Sequence, residues 1–187
     1  ISTGDIEFGP AFEPDGKTVY FSKGSPGLKR VSWILVSRFV DGAWKTPEVA
    51  SFSGRYSDID PTLSPDGKKL FFASTRPTEG TAPRPDFDLW VVEKTPGGWG
   101  EPHNLGTPVN SPGMETTTSV TANGTLYFSS GGREGGRPGR RLFRSRLVQG
   151  RYEEVEPLPA PIDGGEEDSN QWVSPDGSVL IYSSRRS

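Results

Sequence analysis

The chain has 187 residues, including 24 glycines and 18 prolines, and its formal net charge is −3. The slight acidic excess argues against a nucleic-acid-binding protein, because such proteins usually carry a clear basic excess. No apolar stretch approaches the length of a membrane-spanning helix, and the lack of cysteine excludes disulfides and thiolate metal sites.

One sequence motif recurs four times along the chain, each time around a turn built on Pro-Asp-Gly or Asn-Gly. The turn acid or its amide counterpart falls at Asp15, Asp66, Asn123 and Asp176, so successive copies are 51, 57 and 53 residues apart. Tandem copies at a near-constant period indicate a fold built from one repeated supersecondary unit.

Each copy begins with a hairpin. Pro fixes φ at the first position of the turn, and the Asp-Gly or Asn-Gly pair readily adopts the backbone conformations that the next positions need. The flanking segments are therefore predicted to be antiparallel strands. The predicted first strands span 8–13, 59–64, 116–121 and 169–174, and the predicted second strands span 18–22, 70–74, 126–130 and 179–183.

A third strand follows a loop rich in glycine and proline, and a second turn then leads to an aromatic residue. The predicted third strands are 33–38, 89–94 and 142–147, and the aromatic residues are Trp44, Trp99 and Tyr152, which we interpret as packing residues. No segment shows a helical period. Four-stranded antiparallel units of about fifty residues in tandem predict an all-β protein with the β-propeller fold.

The repeat boundaries predict three complete blades and half of a fourth, with about fourteen strands. The blades span about 5–54, 55–112 and 113–165, and the half blade spans about 166–187. Because a propeller closes as a ring, the half blade would leave apolar residues such as Leu180 and Tyr182 uncovered. The chain is therefore expected to be part of a larger ring, or to self-associate through the incomplete blade.

The phrase "SPDGKKLFFASTR" (64–76) and its copies resemble the WD40-like repeat of TolB-type β-propellers, and the likeness extends over essentially the whole chain. This resemblance implies a ring of five to seven blades, of which the chain forms a part. It also implies a periplasmic or secreted location in a bacterium. The function it implies is a non-catalytic scaffold that binds a protein or peptide partner on the funnel face of the propeller.

Two rows of residues align when the copies are superimposed on the turn. The first row, eight residues before the turn, is acidic in every copy and comprises Glu7, Asp58, Glu115 and Asp168. The second row, expected two residues further along the same strand face, comprises Gly9, Asp60, Thr117 and Asn170.

The acidic row has two interpretations. It could form an electronegative funnel mouth that binds Ca²⁺ or a basic partner segment, since oxygen ligands suit calcium. Alternatively, each carboxylate accepts hydrogen bonds that fix the geometry between blades, with Thr116, Thr117 and Ser169 as the nearest donors in sequence. The second interpretation is favoured because a residue that every blade needs is usually structural. Trp172 does not repeat and is a candidate for lining the binding surface.

The loop at 131–141 gathers four arginines, Arg133, Arg137, Arg140 and Arg141. They are candidates for binding phosphate, sulfate or an acidic partner, although such a charge run is more often a solvated loop. The loop at 76–88 occupies the equivalent place in the second copy, and long loops on one rim are where repeat proteins place recognition.

Signals for catalysis are sparse. His103 is the single histidine, and the chain lacks a G-x-S-x-G elbow, a Walker loop and a dinucleotide fingerprint. No cofactor other than Ca²⁺ is indicated. The sequence therefore favours a non-catalytic scaffold, and the alternative is a propeller enzyme or the substrate-gating domain of a hydrolase or polysaccharide lyase.

Overall fold

The computed structural model describes residues 5–24, 31–80, 82–133, 139–162 and 167–185. Every regular element in these ranges is a β-strand. Among the same residues, no helix is long and apolar enough to cross a membrane.

The strands form three blades and a final hairpin, as the repeats predict. Blade 1 contains β1 (Ile6–Phe12), β2 (Thr18–Gly24), β3 (Ser32–Val40), β4 (Ala43–Trp44) and β5 (Glu48–Val49). Blade 2 contains β6 (Asp58–Leu63), β7 (Lys69–Ser74), β8 (Asp88–Thr95), β9 (Gly98–Trp99) and β10 (His103–Asn104). Blade 3 contains β11 (Met114–Val120), β12 (Leu126–Gly131), β13 (Arg140–Ser145), β14 (Leu147–Val148), β15 (Arg151–Tyr152) and β16 (Glu156–Pro157). The half blade contains β17 (Glu167–Val173) and β18 (Leu180–Arg185).

The outermost strand of each blade is divided into two short pieces, and the third strand of blade 3 is divided into β13 and β14. These four divisions explain why the described residues contain eighteen strands rather than about fourteen. In blade 1, both β4 and β5 pair with β3. Between them, Ser37 Oγ donates a hydrogen bond to the Lys45 carbonyl at 2.6 Å. Ser145 Oγ does the same to the Glu153 carbonyl in blade 3, also at 2.6 Å. A serine side chain thus satisfies the backbone carbonyl where the ladder is interrupted.

The innermost strand of each blade carries a β-bulge. The register of the pairing shifts near the middle of β1, β6, β11 and β17. The second-row residue occupies each bulge with a positive φ: Gly9 (61°), Asp60 (54°), Thr117 (35°) and Asn170 (54°). A bulge changes the direction in which the following side chains point. The prediction that both rows share one strand face is therefore wrong.

The two larger clusters of the hydrophobic core lie between neighbouring blades. One cluster joins blade 1 to blade 2, with Tyr20 and Ile34 facing Phe72 and Trp90. A second joins blade 2 to blade 3 and includes Phe71 and other buried residues. Because side chains alternate along a strand, adjacent residues of β7 supply opposite interfaces.

The repeated aromatic residues pack into these clusters, as predicted. Trp99 lies against the cluster between blades 1 and 2, and Tyr152 against the cluster between blades 2 and 3. Trp44 packs on a smaller cluster of Val19, Phe21 and Leu35 in blade 1.

The half blade is held to blade 3 at both ends. At one end, the backbones of Arg140 and Glu167 pair in parallel and link β13 to β17. At the other end, the Ala122 amide donates to the Pro175 carbonyl at 2.7 Å. The apolar residue that β18 exposes most is Ile181, at 60%. Leu180 and Tyr182, which were predicted to be uncovered, are half-buried, and the exposed apolar residue is Ile181 between them.

Candidate functional site

The innermost strands of the four copies lie side by side and line a cavity of about 470 Å³, here called the axial cavity. It is lined by residues 9–12, 60–63, 117–119 and 170–172. Each lining segment therefore begins at the bulge of its strand. The bulge is what presents these residues to the axis.

Asp60 supplies a carboxylate to the axial cavity. Its backbone amide donates to Ser22 Oγ of blade 1 at 2.9 Å, which fixes the bulge to the neighbouring blade. Burial raises the pKa of the Asp60 carboxyl, while the Thr117 amide and the charge of Arg140 oppose that rise. These two interactions thus do not fully offset the cost of burying the charged Asp60 side chain, so its carboxylate is incompletely compensated at the cavity.

Two aromatic side chains on the lining are open to solvent. Trp172 is 51% exposed and Phe12 is 54% exposed. Both follow the bulge of their strand, Trp172 by two residues and Phe12 by three. The structure therefore brings together the predicted candidates Asp60, Asn170 and Trp172, and adds Phe12.

Hydrogen bonds between neighbouring blades make the wall of the cavity rigid. Gln171 Nε2 donates to the Thr117 carbonyl at 2.6 Å, and Gln171 Oε1 accepts from Thr117 Oγ1 and Ser129 Oγ at 3.1 Å each. Thr62 Oγ1 donates to the Thr118 carbonyl at 2.8 Å. Sequence reasoning missed Gln171, because its counterparts in the other copies are Pro10, Pro61 and Thr118 and give no repeat signal.

The first-row acids lie elsewhere, and three of the four are fully buried. Asp58 is fully buried and accepts hydrogen bonds from Ser53 Oγ at 2.7 Å, Ser74 Oγ at 2.5 Å and Arg76 Nη2 at 3.0 Å. Arg76 Nη2 also donates to the Phe52 carbonyl at 2.9 Å. We call this arrangement of an acid, serines and an arginine an acid clamp. It joins β6 to β7 and to the connection from blade 1.

Blade 3 contains the same clamp. Glu115 is fully buried and accepts from Ser111 Oγ at 2.5 Å and Ser130 Oγ at 2.8 Å, and Arg133 Nη2 lies 3.5 Å from its carboxylate. Arg133 also donates to the backbone carbonyls of Pro108 and Val109. Burial raises the pKa of both Asp58 and Glu115, although the clamp donors partly offset it.

The clamp serine has a counterpart in the half blade. Ser74 is paired across the hairpin with Asp58, and Ser130 with Glu115. In the same register, Ser184 lies opposite the fully buried Asp168. In blade 1 the equivalent pair is Glu7 and Lys23, and Glu7 is half-buried.

None of the four first-row acids lines the axial cavity. The predicted funnel mouth of exposed first-row carboxylates therefore does not describe their positions, because the bulge turns the second row toward the axis instead. The donors around Asp58 and Glu115 are serines and arginines rather than the predicted Thr116, Thr117 and Ser169. The described part of the chain contains no group of three or more acidic or histidine side chains placed to hold a metal ion.

The predicted arginine loop is divided by the structure. Arg133 belongs to the clamp of blade 3 and stacks over Phe128 and Phe143. Arg141 also lies over the ring of Phe143. Arg140 begins β13, and its charge reaches Asp60. Arg137 lies outside the described residues.

His103 is exposed and begins the short strand β10, where it pairs with Val91 of β8. It does not line the axial cavity. The single histidine therefore lies apart from the residues that the bulges bring together.

No protein-family model matches the chain, and no curated protein matches it in sequence. Solved structures do match. TolB from Acinetobacter baumannii aligns over 100% of this chain with a TM-score of 0.64 and 18% identity. A puromycin-hydrolyzing peptidase from Mycobacterium tuberculosis aligns over 97% of it with a TM-score of 0.61 and 15% identity. A prolyl endopeptidase aligns over 94% with a TM-score of 0.51 and 15% identity.

These comparisons show the fold. The chain is an all-β partial propeller of the kind found in TolB, as the repeats predict. It spans 40% of the TolB chain and about a quarter of each peptidase chain, at 26% and 24%. At such low identity the neighbours share an architecture with this chain, while function has to be argued from its own residues.

Proposed function

We propose that this protein is a non-catalytic propeller scaffold that binds an extended segment of a protein or peptide partner in the axial cavity. The observation that carries the proposal is the composition of the bulged lining. It combines two half-exposed aromatic rings with one incompletely compensated carboxylate, all presented by rigid strands.

The size of the cavity supports a peptide ligand. A volume of about 470 Å³ lies within the usual range for ligand sites and accommodates a few side chains of an extended segment. Trp172 and Phe12 offer apolar contact area of the kind that anchors protein interfaces. The interblade hydrogen bonds of Gln171 preorganise the wall, which reduces the entropy lost on binding.

The charge of the site indicates which segment would fit. Because burial disfavours the ionised form of Asp60, a lysine or arginine of the partner would gain from pairing with it. We therefore expect the partner segment to place a basic side chain at Asp60 and an apolar side chain at Trp172. By resemblance to TolB-type propellers, a periplasmic or secreted location forms part of the same proposal.

The proposal can be tested by selecting ligands from a display library of random short peptides with the immobilised protein. Selected peptides are then titrated against Trp172→Ala and against Ile181→Ala as the matched control. Ile181 pairs with Trp172 across the half-blade hairpin and is exposed, but it does not line the cavity.

We expect Trp172→Ala to weaken the selected peptides about tenfold or more, and Ile181→Ala to change their affinity less than about twofold. The selected peptides should also be enriched in basic and apolar residues and remain intact after incubation with the protein. Equal loss in the two variants, or no enrichment, would contradict the binding site. Cleavage of the peptides would instead support the enzymatic alternative.

A further inference from the structure

Two adjacent cavities open between blades 2 and 3, apart from the axial cavity. Their volumes are about 430 and 370 Å³, and residues of both blades line each of them. Four residues line both cavities: Lys69, Phe71, Leu147 and Tyr152. Neither cavity shares a lining residue with the axial cavity. We call the two cavities together the interblade groove.

Between blades 1 and 2, four side chains form a hydrogen-bonded network. Trp99 Nε1 donates to the Tyr20 hydroxyl at 2.9 Å, and this hydroxyl donates to Glu13 Oε1 at 3.2 Å. Lys94 Nζ donates to Glu13 Oε2 at 2.8 Å. The network joins the two blades and uses a polar group of all four side chains.

The counterparts of these four side chains between blades 2 and 3 cannot form the same network. The strand pairing and the turn hydrogen bonds make Glu13 equivalent to Ser64, Tyr20 to Phe71, Lys94 to Leu147 and Trp99 to Tyr152. Each counterpart is smaller or less polar than the residue it replaces. The interblade groove therefore lies where the first interface has its network, and all four counterparts line it.

The Tyr152 hydroxyl is a polar group of the groove that remains unused. It forms no hydrogen bond with the part of the chain that the structure describes, and burial raises the pKa of the phenol without an opposing interaction. It does not belong to the described polar atoms that are both unpaired and sealed from solvent, so the hydroxyl is accessible. It can therefore donate a hydrogen bond to a ligand.

The charged side chains of the groove leave one positive charge over. Asp66 lies 3.8 Å from Lys68, and Glu93 pairs with Lys69 at 2.8 Å. Arg151 lines the groove at an exposed position and forms no ion pair with any residue that the structure describes. A ligand with a single negative charge would balance the site.

We propose that the interblade groove binds a small carboxylate with an apolar body. The carboxylate pairs with Arg151, and the apolar body packs against Leu147 and the ring of Tyr152, which are half-buried and line both cavities. A guanidinium group suits a carboxylate because two parallel N–H groups reach both of its oxygens. A phosphate monoester would bring more negative charge than one arginine balances. The carboxylate has two possible sources, a free organic acid or the C-terminus of a peptide that ends in an apolar residue.

The test is a titration of the isotope-labelled protein followed by backbone N–H chemical shifts. Two probes carry the same ring and distinguish the sources: phenylbutyrate represents a free acid, and Nα-acetyl-phenylalanine represents a peptide C-terminus. Nα-acetyl-phenylalanine amide keeps the ring but lacks the carboxylate, so it serves as the ligand control. We expect both acids to shift the signals of the segment 147–152, and the control compound to leave them nearly unchanged.

Arg151→Gln removes the charge at an exposed position, and we expect it to weaken both acids about fivefold or more. Arg146→Gln is the matched control, because Arg146 lies in the same blade, 3.7 Å from Glu156, and lines neither cavity. Its effect should be below about twofold. Leu147→Trp fills the groove and should abolish the shifts, whereas Val148→Trp, at an exposed position outside the groove, should preserve them.

Three results would overturn the proposal. The first is no shift with either acid at millimolar concentration. The second is an equal shift with the control compound, which would mean apolar binding only. The third is unchanged affinity in Arg151→Gln, an equal loss in Arg146→Gln, or unchanged affinity in folded Leu147→Trp.

The two acids also identify the source of the carboxylate. Tighter binding of phenylbutyrate would identify a free organic acid, and tighter binding of Nα-acetyl-phenylalanine would identify a peptide C-terminus. Loss of peptide binding in the axial cavity is a separate result, because the groove and the axial cavity share no lining residue.

Discussion

The two rows of the repeat differ in what they keep constant. The first row keeps its chemistry, because all four copies place an acid there and three of these acids are fully buried. The second row keeps only its backbone conformation, because its four residues are Gly, Asp, Thr and Asn, and all have positive φ. One row repeats a hydrogen-bonding function, whereas the other repeats a shape and varies its side chains.

This difference assigns separate roles to the two rows. An acid held by serines and an arginine in successive blades joins the blades together. Side chains that change from blade to blade around a common axis give the axial cavity an asymmetric surface, which is what recognition of a specific segment requires. The following predictions test this division, beginning with the largest expected effect.

Asp58→Ala should lower the free energy of unfolding by about 3–5 kcal/mol, because it leaves the guanidinium of Arg76 buried without its partner. Urea unfolding followed by tryptophan fluorescence measures this change. Glu79→Ala, at an exposed position, is the control and should stay within about 0.5 kcal/mol. A similar small effect of Asp58→Ala would contradict a structural role for the first row.

Ser130→Ala should lower the free energy of unfolding by about 1–3 kcal/mol, because Glu115 Oε1 loses a buried donor at 2.8 Å. The exposed Ser183 of β18 supplies the matched control, and Ser183→Ala should have little effect on the same urea transition. Equal effects of the two substitutions would mean that the clamp of blade 3 contributes no more than a surface hydroxyl does.

Gly9→Ala should be destabilising by about 1–2 kcal/mol, because φ is 61° and an added Cβ would lie 3.3 Å from Asp60 Oδ1. Thermal unfolding compared with Gly131→Ala provides the measurement. Gly131 lies in a strand, and a Cβ there would meet its nearest neighbour at 3.8 Å. If the two variants unfold alike, the bulge does not require a left-handed residue.

Asp60→Asn should raise the free energy of unfolding at neutral pH by less than about 1 kcal/mol. Asparagine already occupies the equivalent bulge at position 170, so the backbone tolerates it. Burial raises the pKa of Asp60 above the ordinary 3.8, so the folded state holds the proton more tightly than the unfolded state.

Ionisation of Asp60 therefore lowers the free energy of unfolding of the wild type as the pH rises from about 3.8 through the folded-state pKa. The advantage of Asp60→Asn should be absent in acid and complete at neutral pH, which denaturant titrations over that range measure. An advantage that does not change with pH would contradict an incompletely compensated carboxylate.

The blades could be predicted from the sequence because each one contains the same short local motif, which recurs along the chain. Each turn such as Pro65-Asp66-Gly67 fixes its own hairpin, and the period of the turns fixes the number of blades. The division of the outermost strands escaped prediction, because it depends on a side-chain hydrogen bond such as that of Ser37 across the sheet.

The candidate site was predicted less completely, because its geometry depends on the bulge. A simple alternation of side chains placed Asp58 and Asp60 on one face, whereas the positive φ of Asp60 separates them. The clamp donors Ser53 and Arg76 come from different connections, which the fold brings to Asp58. A repeated serine and arginine after the second strand were the available signal, in "FASTR" and "FSSGGR".

The most direct test of the division between the rows compares Asp58→Asn and Asp60→Asn in one experiment. Stability is measured by denaturant unfolding, and the affinity of a selected peptide is measured at a temperature at which both variants are folded. We predict that Asp60→Asn weakens the peptide about tenfold while remaining at least as stable as the wild type, and that Asp58→Asn loses stability but retains its affinity. Unchanged peptide affinity in Asp60→Asn, or an equal loss of affinity in folded Asp58→Asn, would contradict the account.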